Sequence, residues 1–236
     1  MAVTEQKTTR QSLSEAWAEI SASDLTLQEK LDAYDRVSRE LIPEVIAAYD
    51  RAIERWSGNE AAAFAPALGE VIPDFLFPDA DGHLVSISSL LEKGPLVISL
   101  NRGHWCPYCR LELRGLAKAH AEIAAAGATV VSLIPETGRY AHQLIETNAL
   151  PFQVLTDLDL SYALTLGLVV PAGPEIREIY ERYGIDLPRF QSNECWLLPI
   201  PATIVVGSDG RVQARFVDPD FRLRMPLDEL LAALRS

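Results

Sequence analysis

The sequence predicts an α/β protein preceded by an all-helical segment, and three observations lead there. An apolar run at 95–100 reads as a buried strand, and it is followed closely by Cys106-Pro107-Tyr108-Cys109 and a one-face helical pattern to 126. Strand-like and helix-like stretches then alternate to about 156, the order of a unit with parallel pairing. Residues 1–57 carry no strand signal and two amphipathic stripes.

Taken in order, Leu13, Trp17 and Ile20 form the first stripe, and Leu27, Leu31, Tyr34, Val37 and Leu41 the second. Ser12 with Glu15, and Thr26 with Glu29, each fit a capping box. Pro43 opens a third helix, from about Glu44 to Trp56, which Ser57-Gly58-Asn59 stops. These stripes must be covered, either by the body of the same chain or by a second copy in a homodimer. An Ala-rich connector, 61–68, leads to a hairpin, with strands near 74–77 and 83–87 around Asp81-Gly82. The strand at 95–101, the helix at 106–126, a strand at 129–134, a helix at 139–148 and a strand at 152–156 follow. Residues 157–168 read as a short helix and turn, 171–174 as a loop, 175–183 as a helix and 186–195 as an irregular polar excursion. A final hairpin, 203–206 and 212–217, precedes a helix at 226–234 with Leu227, Leu230, Leu231 and Leu234 on one face. The expected organisation is a helical extension, 1–67, and an α/β domain, 68–236.

The 236 residues hold 33 acidic and 21 basic side chains, a formal net charge of −12, which argues against nucleic acid and anionic membranes as partners. No apolar run reaches the ~18 residues that span a bilayer, and residues 1–10 are too polar for a secretory signal, so a soluble, cytoplasmic protein is expected. Three cysteines are too few for a disulfide scaffold. In a reducing compartment a close pair points to redox or metal chemistry.

At a strand-to-helix junction Cys106 occupies a helix N-terminus, where free N–H groups and the macrodipole favour a thiolate. Pro107 suits the first turn, where its missing N–H costs nothing. Cys109 lies one turn deeper, with a higher expected pKa. This makes Cys106 the attacking sulfur and Cys109 the resolving one. Trp105 offers a flat apolar wall, and Arg102, His104, Arg110 and Arg114 are basic residues close by in an acidic chain. Zinc also uses Cys-x-x-Cys, but the remaining ligands would have to come from Cys195, His104 or His120, with no second pair. Neither a metal nor a cofactor is expected. Cys195 reads as a further thiol or a small apolar residue. Pro201, directly before an apolar strand, reads as a cis proline opposite the cysteines, leaving the backbone of Ile200 free to pair with substrate. The other reading is a trans proline opening an edge strand.

Residues from about 68 to 235 resemble the alkyl hydroperoxide reductase/thiol-specific antioxidant family, the peroxiredoxin-like proteins. The resemblance lies in Gly69-Glu70-Val71-Ile72-Pro73-Asp74-Phe75, in Asp81-Gly82, in 102–109 with Leu111-Glu112-Leu113, and in Pro201-Ala202-Thr203 with Asp209-Gly210. It implies a thioredoxin-like fold, a central mixed sheet flanked by helices. It also implies attack of Cys106 on a peroxide, condensation with Cys109, and resetting by an external dithiol such as thioredoxin or by a small thiol. The family pattern places proline seven residues and threonine or serine three residues before the attacking cysteine; here Ser99 and Gly103 stand there, so Arg102 or His104 would have to substitute. That departure keeps two alternatives open: a dithiol–disulfide oxidoreductase without efficient peroxidase activity, and a redox-dependent interaction protein.

Overall fold

The computed structural model describes residues 3–235. Three helices come first: α1 (Val3–Ala22), α2 (Leu27–Leu41) and α3 (Pro43–Gly58). The Thr26–Glu29 capping box opens α2 as the sequence indicates. Ser12, by contrast, lies in the interior of α1, because the helix continues nine residues upstream of it. A hairpin of β1 (Leu76–Pro78) and β2 (Leu84–Ser86) and a short α4 (Ile87–Leu91) lead into β3 (Leu96–Leu100). Then follow α5 (Pro107–Ala125), β4 (Thr129–Ile134), α6 (Gly138–Asn148), β5 (Gln153–Thr156) and α7 (Ser161–Thr165). A small two-stranded ribbon, β6 (Val169–Pro171) and β7 (Leu197–Pro199), brackets α8 (Gly173–Tyr183) and α9 (Leu187–Gln191). The chain ends with β8 (Ala202–Val206), β9 (Val212–Val217) and α10 (Leu227–Ala233).

The main sheet runs β5-β4-β3-β8-β9. β3, β4 and β5 are parallel, whereas β8 pairs antiparallel with both β3 and β9. β3 is buried along its whole length, as its unbroken apolar run requires of a central strand. Its side chains alternate between two cores. Leu96, Ile98 and Leu100 join one, and Val97 joins the other with Leu113, Leu116 and Ile123 of α5 and Leu144 of α6.

The first core has no seam at the expected boundary near residue 68. Trp17, Leu31, Val45 and Trp56 of the N-terminal helices belong to the same cluster as Cys106, Cys109 and the sheet residues. The apolar stripes that a second copy would have covered are therefore turned onto this chain's own body: α1 and α2 pack on α5, and α3 packs on α8. No helix among the described residues is long and apolar enough to cross a membrane.

The polar segment at 186–195 contains α9, capped by Asp186, and the loop expected at 171–174 is in fact the end of β6 and the start of α8. Pro201 is not cis, since no cis peptide bond occurs among the described residues. Ile200 and Pro201 link β7 to β8, and the Ile200 N–H, part of the backbone expected to be free for substrate, donates instead to the Leu168 carbonyl at 2.8 Å.

Candidate active site

β3 delivers the chain to the sheet's C-terminal edge, where open α/β sheets place their ligands. Asn101 fixes the exit by donating to the Ser99 and Ser132 hydroxyls at 2.7 and 3.1 Å. At Gly103 the backbone takes φ +131°, and a Cβ there would lie 2.5 Å from the Glu136 carboxyl carbon. This is the physical reason for the departure at 103: a threonine or serine has neither the backbone conformation nor the room. Ser99, the other departure, is a buried member of the sheet's polar row.

Cys106 is the N-cap of α5 with an extended backbone, and Pro107 is the first helical residue. Cys106 and Cys109 are both free, 1% and 0% exposed. Burial raises the Cys106 pKa, but a hydrogen bond from Cys109 and the charges of Arg102 and Arg224 outweigh it, leaving the value lowered to about 6. Cys109 is raised well above its ordinary value by burial, by its hydrogen bond to Cys106 and by the Cys106 charge. Two donors hold the Cys109 sulfur: the Arg102 backbone N–H at 3.4 Å and Arg224 Nη2 at 3.3 Å.

Solvent does not meet Cys106 at the surface. Access is through a cavity of about 500 Å³, whose wall includes Cys106, Arg102 and Trp105 and whose rim includes the exposed Arg10, Ser14 and Ala18. Arg102 is buried, with Nη2 donating to the Tyr180 hydroxyl and its guanidinium 3.9 Å from the centre of the Phe221 ring. Among the described residues its Nε has no hydrogen-bond partner, and neither does the indole N–H of Trp105.

His104 points elsewhere. Its Nδ1 lies 2.7 Å from the fully buried Glu136 carboxylate, its ring stacks on Tyr140, and it is absent from the cavity wall. Of the two basic residues expected to replace the missing hydroxyl, only Arg102 faces the cavity that holds Cys106. Pro201 does not line it either. Cys195 is exposed and also absent from it. Among the described residues, the only grouping with metal-ligand spacing is Asp79, Asp81 and His83, which excludes the cysteine pair.

Two contributors escaped sequence reasoning. The first is Arg224, buried before α10, whose Nε lies 2.6 Å from Glu112 Oε2; Glu112 also accepts from the Thr203 hydroxyl at 2.8 Å. Glu112 on the inner face of α5 was the available signal, because a buried carboxylate needs a partner. The sequence alone does not choose that partner among 21 bases. The second is the N-terminal layer. Trp17 of α1 donates from Nε1 to the Pro107 carbonyl at 3.1 Å, and the Tyr108 hydroxyl donates to Asp35 of α2 at 3.3 Å. Both residues between the cysteines are thus tied to helices outside the recognised motif.

Solved structures similar to the chain include the peroxidoxin BcpB of Mycobacterium tuberculosis, at 22% identity and TM-score 0.57, over 72% of this chain and 97% of that one. A cysteine-to-serine mutant of peroxiredoxin 6 of Arenicola marina matches at 16% identity and TM-score 0.55, over 71% of each chain. Peroxiredoxin Q of Xanthomonas campestris matches at 15% identity and TM-score 0.52, over 68% of this chain and 89% of that one. These likenesses show a shared fold. No curated protein sequence matches the chain. The AhpC/TSA family model matches residues 68–215, which include β3, the cysteine pair, β8 and all but the last two residues of β9. The chain therefore belongs to the AhpC/TSA family, and is a thiol-based oxidoreductase of the peroxiredoxin type.

Proposed function

We propose that the protein is a thiol-dependent peroxidase in which Cys106 attacks the peroxide and Cys109 resolves the product. The observation that carries this reading is the Cys106 thiol, lowered to about 6, on the wall of a cavity that Arg102 also lines. At neutral pH the sulfur is a thiolate, the nucleophilic form. It attacks the terminal peroxide oxygen, an S–O bond forms and the O–O bond breaks. Sulfur is oxidised to a sulfenic acid, and the other oxygen leaves as an alkoxide or hydroxide that takes up a proton. In this reading the free Nε–H of Arg102 donates to the oxygen on which charge develops, the part the absent hydroxyl plays in the family pattern. The Cys109 thiol then attacks the sulfenic sulfur. An S–S bond forms and water leaves. An external dithiol, thioredoxin-like or small, takes the disulfide and returns both cysteines to thiols.

Disulfide exchange with protein substrates fits less well. Cys106 is 1% exposed, and the Ile200 N–H that would pair with an extended peptide already donates to Leu168. Rapid mixing of the reduced protein with hydrogen peroxide, followed by mass-spectrometric mapping, tests the proposal. The expected result is consumption far faster than by free cysteine and a Cys106–Cys109 disulfide. A rate equal to free cysteine's would end it.

A further inference from the structure

Arg224 helps to lower the Cys106 thiol, yet the sulfur that it touches is Cys109. The side chain is 1% exposed and its guanidinium is held from three directions. Nε lies 2.6 Å from Glu112 Oε2, Nη1 donates to the Phe221 and Leu223 carbonyls, and Nη2 is 3.3 Å from Cys109 Sγ. Glu112 is itself anchored, accepting from the Thr203 hydroxyl of β8 at 2.8 Å, and the Arg224 carbonyl accepts from Gln28 of α2 at 3.1 Å. A buried arginine and glutamate balance each other's charge, and nothing in that pairing requires Nη2 to reach a sulfur. Arg224 also lies beyond the segment that the family model matches.

Resolution needs something that the reduced site withholds. Cys109 must give up its proton to attack, and burial, its hydrogen bond to Cys106 and the Cys106 charge all oppose that. Among the described residues, the ionisable groups that act on it are Cys106 on its own helix, Arg102 after β3, and Arg224 before α10, with Glu112 behind Arg224. Once Cys106 carries the peroxide oxygen as a neutral sulfenic acid, its charge is gone. The Arg224 guanidinium and the Arg102 backbone N–H, at 3.3 and 3.4 Å, then act on Cys109 without that opposition. A positive charge at such a distance favours the thiolate.

We infer that Arg224 activates Cys109 for resolution, and that oxidation of Cys106 is the trigger because it removes the negative charge of the adjacent sulfur. The inference rests on the reading of Cys106 as the attacking thiolate. The Cys109 sulfur forms the S–S bond while the S–O bond at Cys106 breaks, and the Cys109 proton leaves with the departing hydroxyl as water. The sulfenic sulfur is reduced and the Cys109 sulfur oxidised. The order of the two thiols is thereby enforced: Cys109 stays inert until its neighbour has reacted.

The test uses Cys195→Ser protein, which keeps only the active-site pair, and follows thiolate by its ultraviolet absorbance, so that burial of the sulfur does not limit the signal. Adding Cys106→Ser puts a neutral hydroxyl in place of the charged sulfur, and Cys109 should then titrate at lower pH than in the parent. Adding Arg224→Gln together with Glu112→Gln keeps a neutral hydrogen-bonded pair and strands no buried charge. The Cys109 thiolate fraction at a given pH should fall about tenfold, and Arg224→Lys, which keeps the charge, should restore most of it. A kinetic arm loads Cys106 with methyl methanethiosulfonate, which leaves a methylthio group on the sulfur and releases methanesulfinate. Attack by Cys109 forms the protein disulfide and expels methanethiol, so resolution is timed without peroxide. The paired glutamine variant should slow that release about tenfold at neutral pH and recover as the pH rises. Cys109 titrating alike with and without the Cys106 charge, or methanethiol release unchanged in the paired variant, would overturn the inference. If hydrogen peroxide fails to oxidise Cys106 while the methylthio group is still resolved with this dependence on Arg224, the peroxidase reading falls and the role of Arg224 stands.

Discussion

Two cysteines three residues apart, buried to the same degree, are driven in opposite directions. Cys106 is lowered to about 6 and Cys109 is raised. Burial pushes both up, so burial does not distinguish them. The difference lies in position along the helix and in who donates to whom. Cys106 caps α5, faces the cavity and accepts from Cys109. Cys109 is one turn inside and gives its proton toward Cys106, and a second negative charge beside a first is disfavoured. The comparison teaches that one negative charge is assigned to one sulfur by geometry, leaving its neighbour protonated.

The change expected to break this contrast most completely is Cys106→Ser, which should reduce peroxide turnover to the uncatalysed background in a coupled assay. Next is Arg102→Gln, which removes both the charge and the free donor at the cavity wall. The Cys106 pKa should rise by about 1–2 units and kcat/KM fall about a hundredfold, read by pH-dependent alkylation and peroxide kinetics. Cys109→Ser should sharpen the contrast. The first peroxide equivalent is still reduced, the sulfenic acid accumulates and can be trapped by dimedone, and repeated turnover with a dithiol is lost. Full turnover in that variant would show that Cys109 does not resolve. Gly103→Ala should cost about 1–3 kcal/mol in urea unfolding, because a Cβ at φ +131° meets the Glu136 carboxyl. The smallest effect belongs to Thr26→Ala, which removes the α2 cap for about 1 kcal/mol and leaves the Cys106 pKa where it is.

The β3–α5 junction was legible because its apolar run, Pro107 and the one-face pattern of α5 are all local signals. The site's floor was legible for the same reason, since Arg102, Trp105, Cys106 and Cys109 sit within one strand-to-helix turn. The N-terminal stripes were visible too, but an amphipathic face does not say what it will meet, and the contacts of Trp17 with Pro107 and of Asp35 with Tyr108 span 90 and 73 residues. The Arg224–Glu112 pair is hidden for the same reason, at 112 residues. β6 and β7 are three residues each and end in Pro171 and Pro199, and proline argues against a strand unless the sheet context is known. Pro201 misled because a proline directly before an apolar strand does not reveal its own isomer; the peptide here is trans, and the neighbouring Ile200 N–H donates to Leu168.

The central claim is that a single thiolate exists at Cys106 near neutral pH. Its most direct test is the pH dependence of alkylation in the reduced wild-type protein, with the modified sulfur located by mass spectrometry. A folded pKa below the ordinary ~8.5 means that the reactive form persists as pH falls from 9 to 7 and is lost through the folded value. The account predicts modification of Cys106 with a midpoint of about 6 and no reaction at Cys109 over that range. A midpoint near 8.5 at Cys106, or Cys109 reacting first, would contradict it.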